Sequence, residues 1–289
     1  MISTYFKLNN DFYTIEISEK GAELQSIFHH KLNKEILWQG DQNYWPRRAP
    51  VLFPIVGKLL NNSYLYDNNI YNLSQHGFAR DCTFILFDNN EHSVSYILTA
   101  DENTFKIFPF KFVLIITYTI DKNTIKIKYK IINQDQKTML CSIGGHPGFN
   151  CPLFENEKLD DYKLTFELTE EPTRFNLSDG LIANQYQEKP FQTIQLTEEL
   201  FKDDALIYTH LKSSYVDFSN NNNYTLRFTF NQMPYLAFWK KADAPFVCIE
   251  PWHGIADHVE NMGNIESKTG MIHLKPNQEF ETEYSISVL

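Results

Sequence analysis

The sequence predicts an all-β protein built from antiparallel strands. Three observations carry this. Apolar and polar residues alternate with period two in stretches from one end of the chain to the other. Helical periodicity is scarce. Aromatic residues, which favour strands, are abundant, with 23 Phe, 16 Tyr and 4 Trp in 289 residues.

The first alternating stretch is Phe12 to Ile17. Cys82 to Phe87 and Val94 to Leu98 read as neighbouring strands. The clearest hairpin runs from Lys111 to Ile120, turns at Asp121-Lys122-Asn123 and returns from Thr124 to Ile132. In its second arm Lys126, Lys128 and Lys130 alternate with Ile125, Ile127, Tyr129 and Ile131, so one face is wet and one buried. Further strands are expected at Tyr162 to Leu168, Tyr224 to Phe230, Tyr235 to Trp239, Phe246 to Ile249, where the strand ends, and Phe280 to Val288. A short helix is expected over Glu198 to Leu206 with Thr197 as N-cap, and a helical turn or two over Ile255 to Asn261. Asn220 to Asn223 reads as a turn tip. About fifteen strands with short turns imply a large antiparallel sandwich. With no linker and no fixed-period repeat, residues 1–289 are read as a single domain.

Composition narrows the function classes. The chain is 43% hydrophobic, enough for a sizeable core. Its net charge of −10 disfavours nucleic acid, and no Lys/Arg-rich run offsets this. There are 21 Lys but only five Arg, and Arg47, Arg48 and Arg80 fall in one short region. Cys82, Cys141, Cys151 and Cys248 form no CxxC pair and read as free thiols. The start, MISTYFKLNN, lacks the basic and apolar regions of a signal peptide. Apolar runs such as Phe112 to Ile116 are too short to span a membrane. A cytoplasmic protein, monomeric or homodimeric, is expected.

Four segments break the alternating pattern: Trp45 to Pro54, Gln75 to Arg80, Gly144 to Asn150, and Ile249 to Gly254. Each places a titratable residue beside Gly or Pro, which fix unusual backbone paths. Functional groups are often presented this way at the margin of a rigid sheet. His76, His146 and Glu250 are the candidates. His29, His30, His92, His210, His258 and His273 read as turn or core residues. The sequence contains no H-E-x-x-H, no His/Cys cluster at zinc spacing, no G-x-S-x-G and no P-loop. Gly144-Gly145 lacks a dinucleotide-binding setting. What remains is acid/base chemistry without metal or cofactor, for which His and Glu suit near-neutral pH once burial shifts their pKa values.

The same four segments carry a resemblance. RRAPVLFPIVGKL at 47–59, QHGFAR at 75–80, GGHPGFN at 144–150, IEPWHGIADH at 249–258 and KTGMIHLKPNQEF at 268–280 resemble the aldose 1-epimerase (galactose mutarotase-like) superfamily, and within it the LacX-like branch. The likeness keeps motif order along nearly the whole chain. It implies a β-supersandwich with a wide cleft on one face, and a small-molecule carbohydrate as partner. It further implies that His146 is the general acid toward the ring oxygen, Glu250 the base toward the anomeric hydroxyl, and His76 a hydrogen-bonding partner. Arg48 matches a substrate-positioning arginine, with Arg47 beside it and Arg80 nearby. Asp204, or Asp203, is the candidate for gripping hydroxyls. Trp252, Phe78 and Trp45 are candidates for stacking on a sugar's C–H face, and His253 for an extra contact. Clustered arginines leave a hexose-phosphate mutarotase open as an alternative, as is a non-catalytic carbohydrate-binding protein. Glycoside hydrolysis would need a second carboxylate.

Overall fold

The structure is a computed structural model that describes residues 5–220, 222, 224–230, 233–260 and 263–289. Met1 to Thr4 of the N-terminal reading, Asn221 and Asn223 of the expected turn tip, and Asn261 of the expected helical turn lie outside the described residues.

Two large antiparallel sheets stack face to face. The first has nine strands in the order 191–195, 162–170, 215–220, 225–229, 279–288, 124–133, 112–121, 93–99 and 85–89. The expected hairpin supplies its sixth and seventh strands, with Phe112–Asp121 paired to Thr124–Asn133 from Phe112 opposite Asn133 to Asp121 opposite Thr124. Its wet face is laced by Lys128 to Glu281 at 2.6 Å and Lys126 to Asp121 at 3.0 Å. The second sheet follows the order 181–187, 173–178, 206–209, 235–239, 246–253, 143–145 and 51–52, and Gly148–Asn150 pairs with Phe246–His253 as well. The inner faces meet in one core, where Tyr129, Tyr284 and Phe228 from the first sheet pack with Phe149, Phe238 and Ile249 from the second. A four-stranded sheet over residues 5–35, a small hairpin over residues 63–72 and a two-stranded pairing of Met139–Cys141 with Ile272–Leu274 complete the β structure.

The described residues contain twenty-five strands, more than the alternation reveals. The extra ones are short, such as Val51–Leu52, or mostly exposed, such as Leu181–Gln187, where only Leu181 and Ile182 are buried. Three expectations are corrected. Phe246–His253 does not end at Ile249; it runs on through Glu250, Pro251 and Trp252. Glu198 to Leu206 forms only a 3₁₀ turn at Glu199–Phe201, and Leu206 begins a strand of the second sheet. Residues 255–258 form an extended loop, with a turn only at 259–260, rather than a helical turn or two. One short helix, Glu102–Ile107, is opened by an Asp101–Thr104 capping box. No described helix is long and apolar enough to cross a membrane.

That extended loop is anchored by a buried ion pair. Lys268 Nζ lies 3.1 Å from Asp257 Oδ1, with side chains only 1% and 2% exposed. Leu60 N–H donates to Asp257 Oδ2 at 3.0 Å, and Ile182 N–H donates to the Asp257 carbonyl at 2.8 Å. Removing one member of a buried pair strands the other charge, which costs about 3–5 kcal/mol. Lys268→Met or Asp257→Asn alone should therefore lower unfolding free energy by about that amount in urea titrations, while the double variant should recover a substantial part of it. Equal losses in single and double variants would rule out this account.

Candidate active site

The second sheet is covered on both faces, and the cleft sits on the face away from the main core. Along Phe246–His253 the side chains alternate: Val247 and Ile249 enter the main core, while Cys248, Glu250 and Trp252 point to the other side. The neighbouring chain pairs with this strand on both sides of His146-Pro147. Gly144 faces Trp252, and Gly148 faces Cys248. These pairs share one register, so His146 falls directly opposite Glu250. Pro147 and Pro251 lack an N–H and interrupt the ladder locally without shifting it. On the other side Ala237 pairs with Glu250 and Trp239 with Cys248. A methyl group beside Glu250 leaves the cleft floor open.

Gly144 is required for close approach. A Cβ there would lie 2.5 Å from Cδ1 of Trp252. The indole thus lies over the glycine and forms part of the wall.

The cleft has a volume of about 390 Å³, within the usual range for small-molecule sites. His146, Glu250, His76, Arg80, Asp204 and three tryptophans, Trp45, Trp239 and Trp252, are in its lining. His146 Nε2 is 3.2 Å from Glu250 Oε2. The approach is off-line for a hydrogen bond, since Glu250 Oε2 remains without a hydrogen-bond partner. The His146 ring stacks on Trp45 at 4.8 Å and meets Trp239 edge-on at 5.6 Å.

His76 approaches from a separate loop, its ring 5.7 Å from that of His146. Gly57 N–H donates to His76 Nδ1 at 3.0 Å, and His76 N–H donates to the Gly57 carbonyl at 2.9 Å. With Nδ1 accepting, the neutral ring carries its proton on Nε2. His76 holds a left-handed backbone, φ 62°, a conformation that is costly for a residue with a Cβ. Gly77 continues the turn at φ 67°, where a Cβ would lie 2.2 Å from the Phe53 carbonyl oxygen. The turn permits no side chain there.

Burial dominates the electrostatics. It holds the Glu250 carboxyl well above the usual carboxylate range, reinforced by the negative charge of Asp204. It pushes His146 down to about 3, reinforced by Arg80. His76 is held well below the usual histidine range by burial, then by His146 and Arg80. These shifts favour the neutral pair, carboxyl and imidazole, over carboxylate and imidazolium.

The remaining sequence candidates separate. Arg80 lines the cleft, with Nη2 donating to the Gln75 carbonyl at 2.6 Å and Nε buried without a hydrogen-bond partner, 3.9 Å from Asp81 Oδ2. Arg47 lies outside the lining, ion-paired to Asp81 at 2.9 Å, yet close enough for its charge to depress both histidines. Arg48 is a correction. It donates to the Gln25 carbonyl at 2.9 Å and Gln25 Oε1 at 3.0 Å, because it leaves the chain on the side of the N-terminal sheet. Phe78 is a second correction: its ring packs with Phe53, Phe108 and Phe112 in the core. Asp204 lines the cleft and Asp203 does not. His253 contacts Thr282 at 3.3 Å and Phe280, on the opposite face of its strand from Glu250. Sequence reasoning missed Trp239 and Gln75 as lining residues. The signal for Trp239 was its place in an alternating strand, two residues beyond Ala237.

The chain belongs to the aldose 1-epimerase family, whose pattern it matches over residues 5–287. The fold is that of the galactose mutarotase-like proteins. Among relatives, the chromosomal LacX protein of Lactococcus lactis is 33% identical over 98% of this chain and 99% of its own length. A galactose mutarotase related enzyme of Lactobacillus acidophilus is 34% identical, with a TM-score of 0.96 over 99% of this chain and 97% of that one. A galactose mutarotase-like protein of Lactobacillus casei is 28% identical, with a TM-score of 0.93 over 99% of this chain and 100% of its own.

The buried carboxyl generates a pH signature. Because the folded pKa of Glu250 is raised, the native state binds more protons than the unfolded chain above about pH 4.3, and stability is lost as pH rises from there toward the folded value. His146 acts in the opposite sense. The unfolded chain binds more protons from about 3 up to the ordinary histidine value of about 6.5, so this contribution to stability rises across that window and is flat above it. Glu250→Gln deletes only the first effect. Its stability relative to the parent should improve as pH rises above about 4.3, with a slope of at most about 1.4 kcal/mol per pH unit. Chemical unfolding at several pH values checks this, and a pH-independent difference would contradict the buried, raised carboxyl.

Proposed function

We propose that the cleft binds a free aldose and catalyses interconversion of its α and β anomers. The observation that carries this reading is the His146–Glu250 pair: two proton-transfer groups, 3.2 Å apart, buried at the foot of a cleft of sugar size.

A cyclic hemiacetal opens when its ring oxygen gains a proton as its anomeric hydroxyl loses one. The acid and the base must therefore flank one carbon–oxygen unit together, within hydrogen-bond reach. His146 protonates the ring oxygen and Glu250 takes the hydroxyl proton. Once the two side chains align, the neutral pair reaches this acid–base form by shifting one proton from carboxyl to imidazole, with no proton drawn from solvent. Rotation about the neighbouring carbon–carbon bond exposes the other carbonyl face. Reclosure with the roles exchanged gives the other anomer and restores the pair.

The surrounding groups support a polyhydroxylated ligand. Arg80 Nε, His146 Nδ1, Glu250 Oε2 and Trp252 Nε1 are buried polar atoms without hydrogen-bond partners, and all belong to lining residues. Buried polar groups are normally paired, and sugar hydroxyls supply both donors and acceptors. His76 Nε2–H donates to the ring-oxygen region, and Asp204 accepts from hydroxyls at the mouth. The indoles provide the apolar wall that a sugar's C–H face stacks against.

His146→Ala and Glu250→Gln should each slow anomer interconversion by about 10²–10⁴-fold with the fold intact. Polarimetry or NMR of a freshly dissolved anomer reads the rate, and parental rates in both variants would defeat the assignment. Arg80→Gln should raise KM, whereas Arg48→Gln should leave it unchanged, since Arg48 is engaged with Gln25.

A phosphorylated aldose is the second reading, favoured by Arg80 in the wall with Arg47 close behind. Tighter competition by glucose 6-phosphate than by glucose would select it. Sugar binding by calorimetry without rate enhancement would instead select a non-catalytic binding protein.

A further inference from the structure

Cys248 has no part in the chemistry above, yet it sits beside the acid–base pair. It is two residues before Glu250 on one strand, so both side chains emerge on the same face. His146 stands across from Glu250 and diagonal to Cys248. The residue facing Cys248 is Gly148, which sets no side chain beside the thiol; a Cβ there would only touch Sγ at 3.5 Å. One ligand-capable atom from each of His146, Cys248 and Glu250 lies within 4.8 Å of the others, and all three residues are buried. Glu250 Oε2, on a residue only 1% exposed, has no hydrogen-bond partner.

We propose that His146, Cys248 and Glu250 form a three-ligand site for a thiophilic divalent cation such as Zn2+, with the fourth position open to the cleft. Imidazole nitrogen, thiolate and carboxylate are all ordinary zinc donors, and three protein ligands plus one open position is a common zinc arrangement. Tetrahedral zinc with these donors places ligand atoms about 3.3–3.8 Å apart. The His146–Glu250 separation of 3.2 Å is already close to that. The thiol needs a small side-chain rotation to complete the set. Binding replaces the Cys248 thiol proton, and any proton on the Glu250 carboxyl, by the metal, and those protons leave to solvent. The ligands come from two strands far apart in the chain, so no local spacing betrays the site. Its inhibitory consequence rests on the proposed acid–base role: a cation here occupies both proton-transfer groups and stops anomer interconversion.

Metal binding and inhibition are read separately. Co2+ added to the purified protein should give a thiolate-to-metal charge-transfer band in the near ultraviolet, Zn2+ added afterwards should abolish that band, and Zn2+ added to the metal-free protein should release protons. Cys248→Ala should lose the band and weaken Zn2+ binding by at least about tenfold in calorimetry, while its own anomer interconversion rate without metal stays parental. Cys248→Ser, which keeps the side-chain size, should behave in the same way and guards against misfolding of the alanine variant. Persistence of the band in both Cys248 variants, its loss in Cys82→Ser, or the absence of a band in the parent would each overturn the site. If the parent binds Zn2+ through Cys248 but shows no anomer interconversion at all, the metal site stands and the enzymatic reading falls.

Discussion

The register between Ile143–Asn150 and Phe246–His253 is the constraint on which the site depends. A slip of one residue would turn His146 or Glu250 into the main core and bring Val247 or Ile249 into the cleft. The register is secured by burial on both faces. Ile143 and Phe149 on one chain, with Val247 and Ile249 on the other, occupy the core shared with the nine-stranded sheet. The prolines at 147 and 251 sit where the ladder can spare hydrogen bonds, and glycines 144 and 148 keep the His146 segment thin where Trp252, Trp38 and Trp45 crowd it. His146 and Glu250 are thereby placed by sheet geometry, with loops contributing only the flanking groups.

Placement on a doubly covered sheet also determines the charge state. Neither His146 nor Glu250 can be charged cheaply in such surroundings. Two neutral groups that differ from an ion pair by one shared proton suit a reaction that moves one proton on and one proton off the same substrate. His76 is arranged differently. Its double hydrogen bond to Gly57 fixes both its backbone and its tautomer, which makes it a directed donor.

Much of this was legible in the sequence, and the exceptions have physical causes. The hairpin over 112–133 was readable because alternation and turn residues agree along its whole length. Strands such as Leu181–Gln187 were not, because two buried apolar residues followed by five exposed ones give no alternation. Helical propensity over Glu198 to Leu206 gave way at Leu206, where the second sheet takes up the chain. The helix at Glu102–Ile107 was not read, because six residues are too few for helical periodicity to show. His76, His146 and Glu250 were visible as titratable residues beside Gly or Pro. Their mutual distances were not, since they depend on pairings between residues some hundred positions apart. Arg47 and Arg48 illustrate the limit: adjacent in sequence, they depart to opposite sides, and only Arg47 makes its charge felt at the cleft.

The distribution of tryptophan has a practical corollary. The chain has four indoles. Trp45, Trp239 and Trp252 line the cleft, and Trp38 lies just behind, donating from Nε1 to the Trp45 carbonyl at 2.8 Å and packing on Phe246 at 4.8 Å. No tryptophan lies elsewhere in the sequence, so the protein's indole emission comes from this neighbourhood alone. The molecule carries a built-in optical reporter whose signal is weighted to the cleft and blind to the distant strands of the nine-stranded sheet.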